Sequence, residues 1–154
     1  MTTVAWDGKT LAADTLAIDS WGLKDRSDKI IRGNGWIAGG AGERHQILKW
    51  KRAAEDLTFH EVLALGVPDW HKDDNDPAIL ITDGDGSYRA MGGIFVRNTR
   101  PYYAIGSGRD FALAAMCCHV DAAGAVRVAM EFDNGTGGDV ETATLTGTEV
   151  DRPS

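Results

Sequence analysis

Residues 2–14, TTVAWDGKTLAAD, decide the fold, because β-branched and apolar residues stand on both sides of Asp7-Gly8. Asp-Gly between two such runs is a strong hairpin signal, since the tight two-residue turn needs positive φ at its centre. With Asp7 and Gly8 as the loop, Trp6 faces Lys9, Val4 faces Leu11 and Thr2 faces Ala13. Asp14 then lies just beyond the partner of Thr2, beside the start of the chain. Chain ends are usually poorly ordered. This one reads instead as the first strand of a hairpin.

Working outward, a second hairpin runs through DKIIR (28–32), GNG (33–35) and WIAGGAG (36–42). With Asn34-Gly35 as its loop, Arg32 faces Ile37, Ile30 faces Gly39 and Lys29 faces Gly40, which sets a lysine opposite the glycine-rich end of a strand. From Glu43 the apolar spacing becomes helical, carrying Ile47, Leu48, Ala54 and Leu57, and a short second helix, FHEVLALG, ends at Gly66. VPDWHKDDNDP (67–77) is an acidic loop bounded by prolines. AILITD (78–83), a DGDGS turn and YRAMGGIFV (88–96) form another hairpin, and PYYAIGSG (101–108) is a short strand entering a Gly-Ser-Gly corner. RDFALAAMCCHVDAA (109–123) is helical, a second helix follows a break at Gly124, and a last strand pair lies within residues 139–150. Strands, two helices, strands, two helices, strands: this segregation predicts an α+β fold in which helices cover sheets, without βαβ alternation.

At 154 residues the chain is read as one domain spanning 1–154, large enough for a core without disulfide staples. Its 23 acidic against 16 basic residues give a net charge of -7, and no basic stripe marks a nucleic-acid partner. No apolar run approaches membrane-spanning length and no leader is recognisable, so no membrane partner is expected. Cys117 and Cys118 are neighbours in an apolar stretch, a poor basis for a disulfide. A cytoplasmic, reducing compartment is the simplest account.

Four polar positions fall beside glycines or turns: Thr2, Lys29, Ser107 and Asp133. Once Met1 is removed, Thr2 carries a nucleophile, Oγ1, and a base, its own α-amine, which titrates near 7.7–8.0 in isolation. A threonine paired with its own amine is an activated nucleophile. A nearby ammonium such as Lys29 favours the neutral amine and stabilises a developing alkoxide, and backbone N–H groups of a Gly-rich turn can hold an oxyanion. Taken singly, each position has a plainer reading: Thr2 and Thr3 as strand threonines, Lys29 as an edge lysine, Ser107 as a helix N-cap, Asp133 as a helix exit. DGDGS lacks the calcium-loop glycine and glutamate, having Tyr88 and Ile94 at those positions, and reads as a hairpin turn. GSGRDF lacks the spacing of a phosphate loop. Cys117, Cys118 and His119 point different ways around a helix and are expected in or near the core.

The ordered set MTTVAW, LAADT, DKIIR, IAGGAG, AIGSG and DNGTGG resembles the proteasome β-subunit family of N-terminal nucleophile hydrolases, and within it the bacterial HslV peptidase. The resemblance runs from Met1 to about Leu145. It implies a four-layer αββα sandwich of two antiparallel sheets and a threonine-type endopeptidase that needs no cofactor or metal. Thr2 matches the family's nucleophile, Asp14 the acid that orients a lysine, and Lys29 that lysine. Gly42 matches the oxyanion-hole glycine, Ser107 the serine near the amine, and Asp133 and Thr136 the Asp-x-x-Ser-Gly-Gly element, with threonine for serine. The family further implies a peptide or unfolded-protein substrate, a homo-oligomeric ring and an AAA+ ATPase unfoldase as partner. The chain departs from the pattern in its shortness, its tight first hairpin and Glu43 after Gly42. Two other readings share the fold: an inactive ring or assembly protein, and a hydrolase of small amides.

Overall fold

The computed structural model describes residues 2–19, 21–67, 78–145 and 150–151. Thr3–Trp6 (β1) and Leu11–Asp14 (β2) form the expected hairpin, but with Asp7-Gly8-Lys9-Thr10 as its loop, so that Trp6 pairs with Leu11, Ala5 with Ala12 and Val4 with Ala13. The cause is the Asp7 side chain. Its Oδ1 accepts the N–H groups of Lys9 at 2.9 Å and Thr10 at 2.7 Å, adding two hydrogen bonds to the backbone bond from Asp7 N–H to the Thr10 carbonyl. The register therefore differs by two residues from the two-residue-loop reading. Because side chains alternate with a period of two, every residue keeps its face.

Leu16–Ile18 (β3) and Lys24–Arg26 (β4), which the sequence pattern does not announce, make a small separate ribbon. The second hairpin, Ile30–Arg32 (β5) with Ile37–Ala41 (β6), has the expected register: Ile30 opposite Gly39, Arg32 opposite Ile37. Two helices follow, Arg44–Ala54 (α1) and Phe59–Leu65 (α2), the latter closed by a reciprocal Thr58–Glu61 capping box and by Gly66 at φ 68°. Residues 68–77, most of the acidic loop, lie outside the described residues. Ala78–Thr82 (β7), Ser87–Met91 (β8), Ile94–Arg97 (β9) and Tyr103–Gly106 (β10) continue the chain. Arg109–Cys117 (α3) and Ala122–Phe132 (α4) precede Val140–Ala143 (β11) and Val150–Asp151 (β12).

The break between α3 and α4 falls at His119, φ 67°, not at Gly124. Asp121 caps α4 by accepting the Gly124 N–H at 2.8 Å, which places that glycine inside the first turn. Cys117, Cys118 and His119 are exposed, contrary to the near-core expectation, because α3 ends there and turns outward.

One antiparallel sheet runs β10-β1-β2-β11-β12 and the other β5-β6-β7-β8-β9. Strand alternation divides the apolar residues into three cores. Val4, Trp6, Leu11, Ile37, Ala41 and Leu80 lie between the sheets. Ala5, Ala12 and Ala104 face outward under Ala112, Ala115, Ala125 and Val126 of α3 and α4, where small residues let helices approach closely. Ile31, Ala38, Ile79 and Ile81 face the other way, under Trp50, Ala54 and Val62. The order helix, sheet, sheet, helix is the four-layer αββα sandwich, an α+β fold. Close packing has local requirements: a Cβ on Gly39 would come within 2.4 Å of Val4 Cγ1 across the sheet interface. The buried indoles of Trp36 and Trp50 donate to the Leu57 and Gly66 carbonyls, each at 2.9 Å, so neither N–H is left unpaired. No helix among the described residues is long and apolar enough to cross a membrane.

Candidate active site

The hairpin β1–β2 brings Asp14 alongside Thr3 at the open end of the first sheet. Asp14 is fully buried and both of its oxygens are engaged. Oδ1 accepts the Thr3 N–H at 3.0 Å and the Lys29 ammonium at 2.8 Å, while Oδ2 accepts the Gly137 N–H at 3.0 Å. Lys29, just before β5, makes a second bond through Nζ to the Leu16 carbonyl at 2.8 Å. Burial pushes the Lys29 amine below its ordinary value, and the charges of Asp14 and Glu141 only partly oppose this. Lys29 is thus fixed in place through Asp14, which also holds the N–H of Thr3, the residue after Thr2.

On the other side of Thr2, a chain of hydroxyls meets one carboxylate. Ser107 Oγ donates to Asp133 Oδ2 at 2.6 Å, which leaves its lone pair to accept the Thr2 N–H at 3.2 Å. Thr136 Oγ1 donates to the same Asp133 oxygen at 2.5 Å. Its only proton is then committed, so Thr3 Oγ1 donates to Thr136 Oγ1 at 2.8 Å. Partial burial pushes Asp133 up, but the bonds from Ser107, Thr136 and the Gly135 N–H outweigh it and hold the carboxyl below the usual range. Ser107 does not cap α3; Gly108 occupies that position. Asp133 closes α4, so two helix ends converge on the Thr2 nitrogen.

Gly42 follows the last residue of β6 with φ 124°, in the left-handed half of backbone space, and turns the chain from sheet into α1. Thr2, Lys29, Gly42 and Ser107 all line one open cleft of about 1270 Å³. Glu43 also lines it, with its carboxylate 3.3 Å from His45 Nδ1. Asp14, Asp133 and Thr136 support the cleft from beneath. The residues singled out in the sequence are therefore gathered at this cleft or hydrogen-bonded to its lining, although they arise from both sheets, the end of α4 and the loops beside them. Met1 lies outside the described residues.

Sequence reasoning passed over two participants. Thr3 joins both halves of the site, by its N–H to Asp14 and its hydroxyl to Thr136. Glu141, on β11, is 2% exposed, and its Oε2 accepts the Lys29 backbone N–H at 2.8 Å. The available signal was its phase: Glu141 shares its strand face with Ala143 and Leu145, which pack in the core between the sheets. Among the described residues no group of three or more His, Cys, Asp or Glu is placed to hold a metal ion.

No protein-family model matches this chain, and no curated protein matches it in sequence. Solved structures do match. BPH of Thiobacillus denitrificans superposes with a TM-score of 0.67 at 23% identity, covering 96% of this chain and 99% of that one. The same BPH in complex with Epoxomicin gives 0.67 at 22% identity, over 95% and 99%. HslV from Trypanosoma brucei, a eukaryotic HslV, gives 0.64 at 20% identity, over 93% and 98%. Likeness of this extent, on top of the αββα layering, establishes the fold: the chain is a sandwich of the HslV and proteasome-subunit type.

Proposed function

We propose that this protein is an N-terminal threonine peptidase that cleaves peptide bonds through an acyl-enzyme on Thr2. The observation that carries the reading is the pairing of a buried, Asp14-bound Lys29 with a Thr2 nitrogen seated on Ser107, in one cleft. The reading requires Thr2 to be the first residue of the mature chain, which removal of Met1 accomplishes. Thr2 Oγ1 attacks the scissile carbonyl and its proton passes to the α-amine, directly or through one water. The carbonyl π electrons move onto oxygen, where the Gly42 N–H stabilises the oxyanion; one such donor is worth roughly 2.7–4 kcal/mol of barrier. The lysine ammonium favours both the neutral amine before attack and the alkoxide character during it.

Collapse breaks the C–N bond and returns the proton from the α-ammonium to the departing amine, leaving an ester on Oγ1. Water then attacks the ester, giving its proton to the α-amine, and the hydroxyl is restored as the C–O bond breaks. Ser107 and Asp133 orient the amine through these steps, with Thr136 holding Asp133. The partners consistent with this reading are peptide or unfolded-protein substrates, further copies of the chain in a ring, and an AAA+ ATPase that delivers substrate.

Intact-mass spectrometry with epoxomicin tests the reading, since a protein of this fold is known in complex with that compound. The expected result is a chain lacking Met1 that gains one adduct, with no adduct on Thr2→Ala. A retained Met1, or a processed chain that stays unmodified, would overturn the peptidase reading and favour an inactive ring or assembly protein.

A further inference from the structure

The reaction above gives no step to Glu141, yet this carboxylate is buried against the residue on which the site turns. Lys29 is gripped at both ends. Its Nζ lies 2.8 Å from both Asp14 Oδ1 and the Leu16 carbonyl, and its main-chain N–H donates to Glu141 Oε2 at 2.8 Å. Its own carbonyl accepts the Gly40 N–H at 3.1 Å, extending the β5–β6 ladder by one rung. Asp14 and Glu141 come from neighbouring rungs, because Val140 pairs with Asp14 and Glu141 with Ala13. A buried side-chain carboxylate here does the work that a ladder carbonyl does elsewhere. Side-chain acceptors of this kind are worth more when charged.

We infer that Glu141 is a positioning residue for Lys29: it anchors the lysine's backbone from β11 while Asp14 holds the amine, in the cleft that Thr2 also lines. Its catalytic consequence rests on the peptidase reading; its effect on Lys29 does not. The charged groups facing Lys29 are Asp14 from β2 and Glu141 from β11. Outside them lie Asp28 and Arg26, paired at 3.3 Å, with Arg26 also 2.8 Å from Asp139. Once the chain is processed, the Thr2 amine joins them. Of these, Asp14 and Glu141 are the anions whose fields oppose the desolvation of the Lys29 ammonium.

The test is a lysine side-chain NMR titration of the full chain, with Lys29→Met assigning the resonance, in wild type and Glu141→Gln. The amide keeps an acceptor for the N–H and removes the charge, while its other oxygen becomes an NH2 donor. The Lys29 midpoint is expected to fall by about half a pH unit or more in Glu141→Gln, and an unchanged midpoint in the folded variant would overturn the inference. Wild type alone supplies a second readout should that variant not fold. There the Lys29 backbone amide shift is expected to follow the Glu141 carboxyl titration, and an amide indifferent to it would equally overturn the inference. Epoxomicin labelling against pH separates the two proposals. Labelling without the Lys29 shift sinks only the role of Glu141, and the shift without labelling sinks only the peptidase.

Discussion

A single oxygen, Asp14 Oδ1, accepts both the Lys29 ammonium at 2.8 Å and the Thr3 N–H at 3.0 Å. One buried atom therefore ties the cation from the second sheet to the strand that begins just after Thr2, so the position of the charge relative to Thr2 is set by a contact rather than by loop geometry.

Removing that contact is expected to be costly. Asp14→Ala leaves Lys29 buried without its counter-ion and strips acceptors from two backbone N–H groups, which predicts a loss of roughly 3–5 kcal/mol of stability. Urea denaturation of wild type and variant measures it. A loss below about 1 kcal/mol, the scale of an exposed pair, would show that the contact is not a buried ion pair in solution.

Ser107 is exposed, so its contribution is separable from stability. Ser107→Ala is expected to change unfolding free energy by no more than about 1 kcal/mol. Loss of the 3.2 Å contact to the Thr2 nitrogen should slow epoxomicin labelling by roughly 10–100-fold. Equal labelling rates would remove Ser107 from the machinery.

Gly106 sits at φ 99°, and a Cβ there would lie 2.0 Å from the Thr2 carbonyl oxygen. Gly106→Ala combines left-handed strain with a backbone collision, predicting a loss of roughly 2–5 kcal/mol. The thermal midpoint and the labelling rate should fall together, because the atom displaced belongs to Thr2 itself. A stable variant with normal labelling would mean that β10 does not approach Thr2 as described.

Asp133 gives the site a pH signature. Its folded-state pKa is depressed, so between that value and the ordinary aspartate range the unfolded chain binds more protons, and stability rises with pH across that window. The contribution is fully present above the ordinary range and is lost as pH falls through the folded-state value. Asp133→Asn should flatten this part of the acid limb of the stability curve. Identical limbs in wild type and variant would contradict the Ser107–Asp133–Thr136 arrangement.

Much of this was legible locally. The β5–β6 register follows from Asn34-Gly35, whose backbone preference pins the turn, and the β7–β8 turn from DGDGS, where Asp83 accepts the N–H groups of Asp85 and Gly86. The first hairpin has a longer loop than its Asp-Gly signal implies because Asp7 uses its side chain twice, closing the turn through Oδ1 and holding the Ala122 N–H of α4 through Oδ2 at 2.9 Å. That second bond is tertiary and has no trace in the local pattern. Gly124 looks like a helix break until Asp121 is seen to need its N–H as a cap.

The sequence by itself determined the alternation of faces, the order of helices and of the strands of the two large sheets, and which polar residues fall at strand ends and turns. These depend on periodicity and turn chemistry within a few residues. Only the tertiary structure decided that Asp14 and Glu141 are both buried against Lys29 and that Thr3 and Thr136 join the two halves of the site. Burial of a charge depends on what the opposing sheet and helices bring to it, and a strand carries no local record of its partner.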